Sequence, residues 1–182
     1  SDYEIAKINF LTFVSSKHKS DLIHEAYLYL VKIEVALENY DIALDFAKRA
    51  EPVYFDYWEF NYLLAKIYYK LGMVGHAIKP IEKSIQQNKK QAELFELAGK
   101  IYLKAGDFIK AEKKYLKFIE ISSDTSPEIY VELAQVCLKA NKANDALKYF
   151  EMAIELDPEN RYALQGKKNA KLILNKNAVS DG

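Results

Sequence analysis

The side chains that most often carry out catalysis or bind metals are few in this sequence and far apart. Cys137 is the single cysteine, and the three histidines are His18, His24 and His76. A lone cysteine cannot form an internal disulfide, and histidines so widely separated do not have the spacing of a metal site. The sequence also contains no phosphate-binding glycine loop, no His-Glu-x-x-His motif and no nucleophile elbow. We therefore predict that the chain is not an enzyme and uses no cofactor or metal.

The charged residues are numerous but balanced, with 26 Lys and Arg against 26 Asp and Glu. A net charge of zero provides no long-range attraction to phosphate backbones or anionic lipid. Only Arg49 and Arg161 are arginine, so few side chains can make bidentate contacts with phosphate or guanine. No run of about 18 apolar residues is present. These features predict neither nucleic-acid binding nor membrane insertion by this segment.

Apolar residues recur at steps of three and four along almost the whole chain, which is the pattern of helices buried on one face. A small residue follows each short break in this pattern, with separations of 34, 34 and 35: Ala43, Ala77, Ala111 and Ala146. The period divides the chain into four units, 24–57, 58–91, 92–126 and 127–160. Each unit reads as a first helix, a tight turn and a second helix. A lone hairpin cannot bury its large side chains, so the sequence predicts an all-α array of stacked antiparallel hairpins.

The segment from Ala92 to Tyr115, AELFELAGKIYLKAGDFIKAEKKY, carries the most complete version of this pattern. Its Ala98-Gly99 pair, its Gly-Asp-Phe turn and its spaced alanines and tyrosines resemble the tetratricopeptide repeat (TPR). The unit 127–160 resembles that repeat nearly as well. The resemblance implies a right-handed superhelical solenoid with about four full repeats.

The units 24–57 and 58–91 depart from the family pattern. Glu34 occupies a tyrosine position, Asn61 a tryptophan position, and Pro80 falls inside a second helix. Proline lacks the amide hydrogen for a mid-helix bond, so we expect a kink at Pro80.

The two ends of the chain are predicted to differ from the four units. Residues 1–23 align with the turn and second helix of a repeat, followed by a loop, and the first helix of that repeat is missing. We interpret them as an orphan helix of a truncated repeat, so that the chain is a fragment of a longer protein; a true N-terminal capping helix is the alternative. Residues 161–176 are predicted to form a polar capping helix, and 177–182 a disordered tail.

In the family, the first helices line a concave groove that binds partners. Carried over to this chain, the groove has a rim of first-turn glutamates, a lysine row and an apolar stripe. The predicted partner-binding residues are Leu28, Lys32, Tyr62, Lys66, Tyr69, Lys70, Glu96, Lys100, Leu103, Lys104, Val131, Gln135, Leu138 and Lys139. A groove with both charge signs and apolar slots suits an extended or helical peptide. Alternatively, the glutamates only stabilise helix N-termini and the lysines pair with neighbouring glutamates.

The stretch EPVYFDYWEFNY, residues 51–62, contains six aromatic residues at a junction between units. Not all of them fit inside one layer, so Tyr54 and Phe55 are candidate exposed anchors for a partner. Asp56 and Glu59 have the spacing of a helix capping box.

Two functions remain open from the sequence. The first is an adaptor that binds a peptide segment or helix of a partner protein and so organises a complex. The alternative is a self-associating scaffold, a homo-oligomer formed through Ile5, Phe10 and Phe13 of the N-terminal helix or through the lysine-rich C-terminal helix. Some grooves of the family hold the C-terminal carboxylate of a chaperone with lysine, asparagine and arginine. The corresponding positions here include Leu28, Glu93 and Leu97, so we predict that this clamp is absent.

Overall fold

The computed structural model describes residues 2–16, 22–122 and 126–180, without the side chains of 178–180. Helices account for nearly all of the described residues. They are α1 (Asp2–Ser15), α2 (Ile23–Ala36), α3 (Tyr40–Tyr54), α4 (Trp58–Lys70), α5 (Val74–Gln87), α6 (Ala92–Ala105), α7 (Phe108–Ile121), α8 (Pro127–Lys139), α9 (Ala143–Leu156) and α10 (Arg161–Ser180). Most of the loop predicted within 1–23 lies outside the described residues, as do residues 181 and 182.

The helices group into two compact units, Ser1–Lys89 and Lys90–Gly182. The first unit contains the hairpins α2/α3 and α4/α5, and the second contains α6/α7 and α8/α9. Within each unit a second helix also packs against the following first helix, as α3 does against α4 and α9 against α10. The predicted order of first and second helices is therefore the order in the structure.

Small residues allow the two helices of each hairpin to approach closely. Ala43, Ala77, Ala111 and Ala146 are all fully buried. In the second unit, Gly99 on α6 faces the ring of Tyr115 on α7, and a Cβ atom at Gly99 would lie only 2.8 Å from that ring. The periodic small residues therefore mark the places where backbones meet.

The tight turns also repeat, through backbone conformation rather than through one residue type. Gly72 and Gly106 adopt positive φ angles of 76° and 81° after the first helices of their hairpins. At the equivalent turns of the other hairpins, Glu38 and Asn141 adopt a φ of 60°. Glycine carries no steric cost in this left-handed region, whereas a residue with a Cβ does. The outer hairpins therefore make the same turn at a higher conformational cost.

Helix α1 packs against α2 in the first unit. Phe10, Leu11 and Val14 contact the core that α2, α3 and α4 form. Lys7 on α1 forms a 2.8 Å ion pair with Glu34, a carboxylate on α2 that is completely buried. Both apolar packing and one buried ion pair therefore hold α1 to the first hairpin.

Several local predictions need correction. The capping box is wrong, because Tyr57 precedes α4 without any side-chain cap and Asp56 instead forms an ion pair with Lys83. Residues 177–180 are not a disordered tail, because α10 runs on to Ser180. Pro80 is buried and does not end α5, which runs from Val74 to Gln87; the kink expected at Pro80 stays a prediction.

Candidate functional site

In the first unit, the predicted binding residues lie on α2 and α4, two first helices that pack against each other. The apolar members, Leu28, Tyr62 and Tyr69, are half-buried rather than open to solvent. The position of a half-buried side chain is already restricted, so little additional side-chain entropy is lost when a partner contacts it. Such side chains therefore suit contact with a partner.

The lysines of the first unit differ in what surrounds them. The ammonium group of Lys32 lies 5.6 Å from the ring centre of Tyr29, and that of Lys70 lies 5.6 Å from the ring centre of Tyr40. Both are exposed, whereas Lys66 is half-buried. Among the residues that the structure describes, Lys66 has no ion-pair partner. Lys66 is therefore a cation of this face that can pair with an incoming carboxylate.

In the second unit, the equivalent lysine belongs to an internal network. Lys100 forms an ion pair with Glu96 one turn earlier on α6 and a longer one, at 3.8 Å, with Glu132 on α8. Glu132 also accepts a 2.7 Å hydrogen bond from the hydroxyl of the buried Tyr115. This network joins α6, α7 and α8, so Lys100 and Glu96 have a structural role between repeats.

The remaining predicted residues of the second unit differ in how exposed their side chains are. Val131 is only 6% exposed, so it adds little open surface to the predicted stripe, although it lines the pocket described next. Leu103 and Leu138 are half-buried, and the other members are exposed: Lys104, Gln135 and Lys139. The Lys139 ammonium group lies 6.0 Å from the ring centre of Phe108.

An open pocket of about 570 Å³ lies along α8 and the start of α10. Four carboxylate side chains line it: Glu128, Glu132, Asp157 and Glu159. The lining also includes the cation of Arg161, the aromatic ring of Tyr162 and two residues predicted from the sequence, Val131 and Gln135. A hydrogen bond from the Ser126 hydroxyl, and one from its own backbone amide, lower the pKa of Glu128. The pocket therefore carries fixed negative charge at neutral pH.

The contribution of α10 to this pocket was not predicted from the sequence. Tyr162 is 76% exposed, although it is a large aromatic residue. Tyr162 follows Glu128 by 34 residues, so the repeat period assigns it the second position of a fifth first helix. Extending that period past residue 160 identifies Tyr162.

The aromatic junction is only partly as predicted. Tyr54 is half-buried, with its ring 5.4 Å from that of Tyr57 and 6.3 Å from that of Phe60, and burial raises the pKa of its hydroxyl. It is therefore a packing residue and not an exposed anchor. Phe55 is exposed, as predicted, and lies under the ammonium group of Lys83 at 4.5 Å. Tyr57 is also exposed, which the residue pattern alone did not predict.

A buried asparagine holds the loop of this junction through hydrogen bonds. Asn61 is buried and donates hydrogen bonds to the backbone oxygens of Phe55 and Tyr57, at 2.8 and 2.9 Å. Asn61 occupies the family's tryptophan position and uses it to fasten the loop before α4.

The single cysteine lies in the core. Cys137 is completely buried on α8, and desolvation raises the pKa of its thiol to about 12. A thiol with this pKa is almost entirely protonated at neutral pH and is a poor nucleophile. Across the described residues, no group of three or more metal-binding side chains comes together. No described helix has the length and hydrophobicity needed to cross a bilayer.

Two models of the tetratricopeptide repeat match the chain, one at residues 92–125 and the other at 127–160. Both matches coincide with a hairpin of the second unit. The chain contains tetratricopeptide repeats. The predicted all-α, TPR-type fold is therefore confirmed, and proteins with this fold typically serve as non-enzymatic modules for protein–protein interaction.

Curated relatives of the TPR chain are longer than the region they share with it. The TPR repeat-containing protein MJ1428 of Methanocaldococcus jannaschii is 29% identical over 122 residues, which is 67% of this chain and 21% of that protein. Superkiller complex protein 3 of Mus musculus is 22% identical over 112 residues, 62% of this chain and 7% of that protein. The chain thus matches about a fifth of the length of the first relative and less than a tenth of the second.

Solved structures share the fold at low sequence identity. The TPR protein YrrB, described as having an unusual peptide-binding site, superposes with a TM-score of 0.81 at 18% identity, over 92% of this chain and 84% of that one. The second TPR domain of human RPAP3, in complex with an HSP70 peptide, superposes with a TM-score of 0.55 at 22% identity, over 59% of this chain and 88% of that one. At these identities the similarity establishes the fold alone.

Proposed function

We propose that this TPR chain binds a peptide segment of a partner protein on the face of its first helices and thereby helps to organise a complex. The observation that carries the proposal is the open pocket along α8 and α10, where exposed Tyr162 lies beside four carboxylate side chains. An exposed aromatic ring next to fixed charges is typical of a binding hot spot. The proposal includes the absence of catalysis and of nucleic-acid binding.

The charges in the pocket favour a particular kind of peptide. Glu128, Asp157 and Glu159 outnumber the one cation, Arg161. A lysine or arginine of the peptide would pair with these carboxylates, while an apolar side chain packs on Tyr162. In the first unit, Tyr62 and Lys66 supply the opposite arrangement, an aromatic ring with an available cation.

The solved TPR structures support the mode of binding but not the identity of the peptide. Peptide-binding sites are described for YrrB and for the RPAP3 domain with its HSP70 peptide. In this chain, Leu28, Glu93 and Leu97 stand where a carboxylate clamp needs basic or amide side chains. We therefore propose a ligand recognised through internal side chains of the peptide rather than through its C-terminal carboxylate.

Peptide selection from a random library tests the proposal. The complete chain is immobilised, peptides of about twelve residues are selected from a display library, and their Kd values are measured by fluorescence polarisation. We expect Tyr162→Ser to weaken binding of the enriched peptides at least tenfold, about 1.4 kcal/mol. Lys66→Glu tests separately for peptides that bind the first unit.

The matched control is Lys79→Glu, which changes an exposed lysine on the second helix α5. It should leave the Kd unchanged, because α5 is not part of the proposed face. Failure to enrich any related peptides, or an equal loss of affinity in Lys79→Glu and Tyr162→Ser, would contradict the proposal.

A further inference from the structure

The first helices of the first unit, α2 and α4, carry charged and apolar side chains in the same order along one side. A first-turn glutamate, an apolar side chain and a lysine recur at steps of three and four residues: Glu25, Leu28 and Lys32 on α2, and Glu59, Tyr62 and Lys66 on α4. Residues at these steps lie on one side of a helix. Lys70 continues the side of α4 by one further turn. All seven side chains are half-buried or exposed, so a ligand can reach them.

The two sides belong to one surface, because α2 and α4 pack against each other. Helix α3 packs against both of them, and the chain reverses direction before and after it. Helices α2 and α4 therefore run in the same direction. Their glutamates lie at one end of the surface and their lysines at the other. We call this surface, with its seven side chains, the first-unit face.

The lysines of the first-unit face carry charge that no described carboxylate neutralises. Among the residues that the structure describes, none of Lys32, Lys66 and Lys70 forms an ion pair. The ammonium groups of Lys32 and Lys70 lie 5.6 Å from tyrosine ring centres, and such a contact positions a cation without cancelling its charge. Three other lysines of this unit do pair with carboxylates, and all three lie off this face: Lys7, Lys48 and Lys83.

Lys66 and Lys70 also lie one turn apart on α4, where like charges repel each other and weaken the helix. A carboxylate bound between them would remove that repulsion. The lysine end of the face is therefore complementary to a negatively charged group.

We propose that the first-unit face binds a peptide segment of a partner protein in which glutamate or aspartate lies next to an apolar side chain. The acidic residues pair with Lys32, Lys66 and Lys70, and the apolar side chain packs against Leu28 and Tyr62. This inference rests on the proposed function, because it assigns a ligand class to the first-unit part of the proposed face. That class is opposite in charge to the class that suits the pocket along α8 and α10.

The glutamate end of the face favours a peptide over a nucleic acid. Glu25 and Glu59 each precede the equivalent lysine by seven residues, which is about 10 Å along the helix axis. A nucleic acid carries a negative charge at every nucleotide, so a strand along this face would place phosphates beside these glutamates. A peptide can carry its acidic residues at one end only. The cations are also lysines, which lack the planar fork of arginine for bidentate phosphate contacts.

Selection from two matched peptide libraries against the complete chain tests this inference. In one library about half of the positions are Asp or Glu among apolar residues, and in the other these positions are Lys or Arg. The Kd values of enriched peptides, acetylated and amidated at their ends, are measured by fluorescence polarisation. We expect Lys66→Glu and Lys70→Glu each to weaken binding of acidic peptides at least tenfold, because each substitution reverses a charge that the peptide contacts. Tyr162→Ser should leave these Kd values unchanged.

Lys79→Glu on α5 is the matched control. Lys79 is exposed and, like the lysines of the face, has no ion-pair partner among the described residues. Its substitution makes the same change in net charge and should leave the affinity for acidic peptides unchanged. Lys70 is exposed as well, so Lys70→Glu should melt close to the wild-type temperature. That result separates loss of the contact from loss of folding.

The outcomes distinguish this inference from the proposed pocket. Enrichment of acidic peptides that depend on Lys66 and Lys70, without any enrichment of basic peptides, would support the inference and contradict the pocket. Failure to enrich acidic peptides, or equal weakening by Lys79→Glu and Lys70→Glu, would overturn the inference and leave the pocket standing. Tighter binding of an oligouridylate of about twelve nucleotides than of any acidic peptide, lost in Lys70→Glu, would assign the face to nucleic acid and also overturn the inference.

Discussion

At the scale of single residues, Gly99 shows how closely the helices of one hairpin approach. Its α-carbon faces the ring of Tyr115, which is fully buried and donates its hydroxyl hydrogen to Glu132. A methyl group at position 99 would lie 2.8–2.9 Å from three ring atoms. The ring would have to move, and its hydrogen bond to Glu132 would be strained or lost.

We predict that Gly99→Ala lowers the free energy of unfolding by about 1–2 kcal/mol. Overpacking costs typically 1–3 kcal/mol, and the higher helix propensity of alanine offsets up to about 1 kcal/mol of that cost. Urea denaturation followed by circular dichroism measures the change.

Gly75→Ala is the control for that experiment, because a Cβ atom there meets nothing within 4 Å. It lies in α5, so alanine should leave stability unchanged or raise it slightly. Equal effects at the two glycines would show that close approach to Tyr115 is not what requires Gly99.

At the scale of helices, one ion pair fixes α1 against α2. Glu34 stands in the tyrosine position of its repeat and is completely buried. Its Oε1 pairs with Lys7 at 2.8 Å, and its Oε2 accepts a 2.9 Å hydrogen bond from the Asn39 side chain. A buried carboxylate is costly without a partner. Lys7 on α1 supplies the positive charge that pairs with this carboxylate.

We predict that Lys7→Met destabilises the packing of α1 by about 1–3 kcal/mol, because it leaves a buried carboxylate without its cation. The double substitution Lys7→Met with Glu34→Gln should recover part of that loss, since the buried charge is then gone. Hydrogen exchange of the α1 amides reports on this packing. Strictly additive effects of the two substitutions would show that the pair is not coupled.

The same pair predicts a dependence on pH. The hydrogen bond to Glu34 raises the pKa of Lys7 above its ordinary value of 10.5. A raised pKa in the folded state means that the stabilisation is fully present below about pH 10.5 and is lost as the pH rises through the folded-state pKa. The difference between the wild-type chain and Lys7→Met should therefore be constant near neutrality and disappear in strong alkali.

At the scale of the whole molecule, the chain consists of two units, and the boundary between them in the sequence falls between Lys89 and Lys90. Each unit buries its own apolar residues, and the boundary leaves every hairpin intact. Repeat proteins are stabilised by contacts within repeats and between neighbours. Dividing the chain between two hairpins should therefore destabilise the resulting fragments much less than dividing it within a hairpin.

We predict that residues 90–182 alone form a folded, helical fragment with a cooperative urea transition. A fragment that starts at Asp107, and so lacks α6, should be largely unfolded, because Tyr115 loses the helix against which it packs. Circular dichroism distinguishes the two. An unfolded 90–182 fragment would show that the second unit depends on the first.

The sequence by itself determined the fold class, the hairpin order and the buried small residues, because a period of 34 forces the same packing position to recur along the chain. Only the tertiary structure decided which surface residues are available to a partner. Lys66 and Lys100 occupy equivalent positions, yet Lys100 is engaged by Glu96 and Glu132 while Lys66 is not. Burial of Val131 and Tyr54, and exposure of Tyr57 and Tyr162, likewise depend on neighbours far away in sequence. Periodicity identifies the side of a helix, whereas the neighbouring helices determine how much of that side is covered.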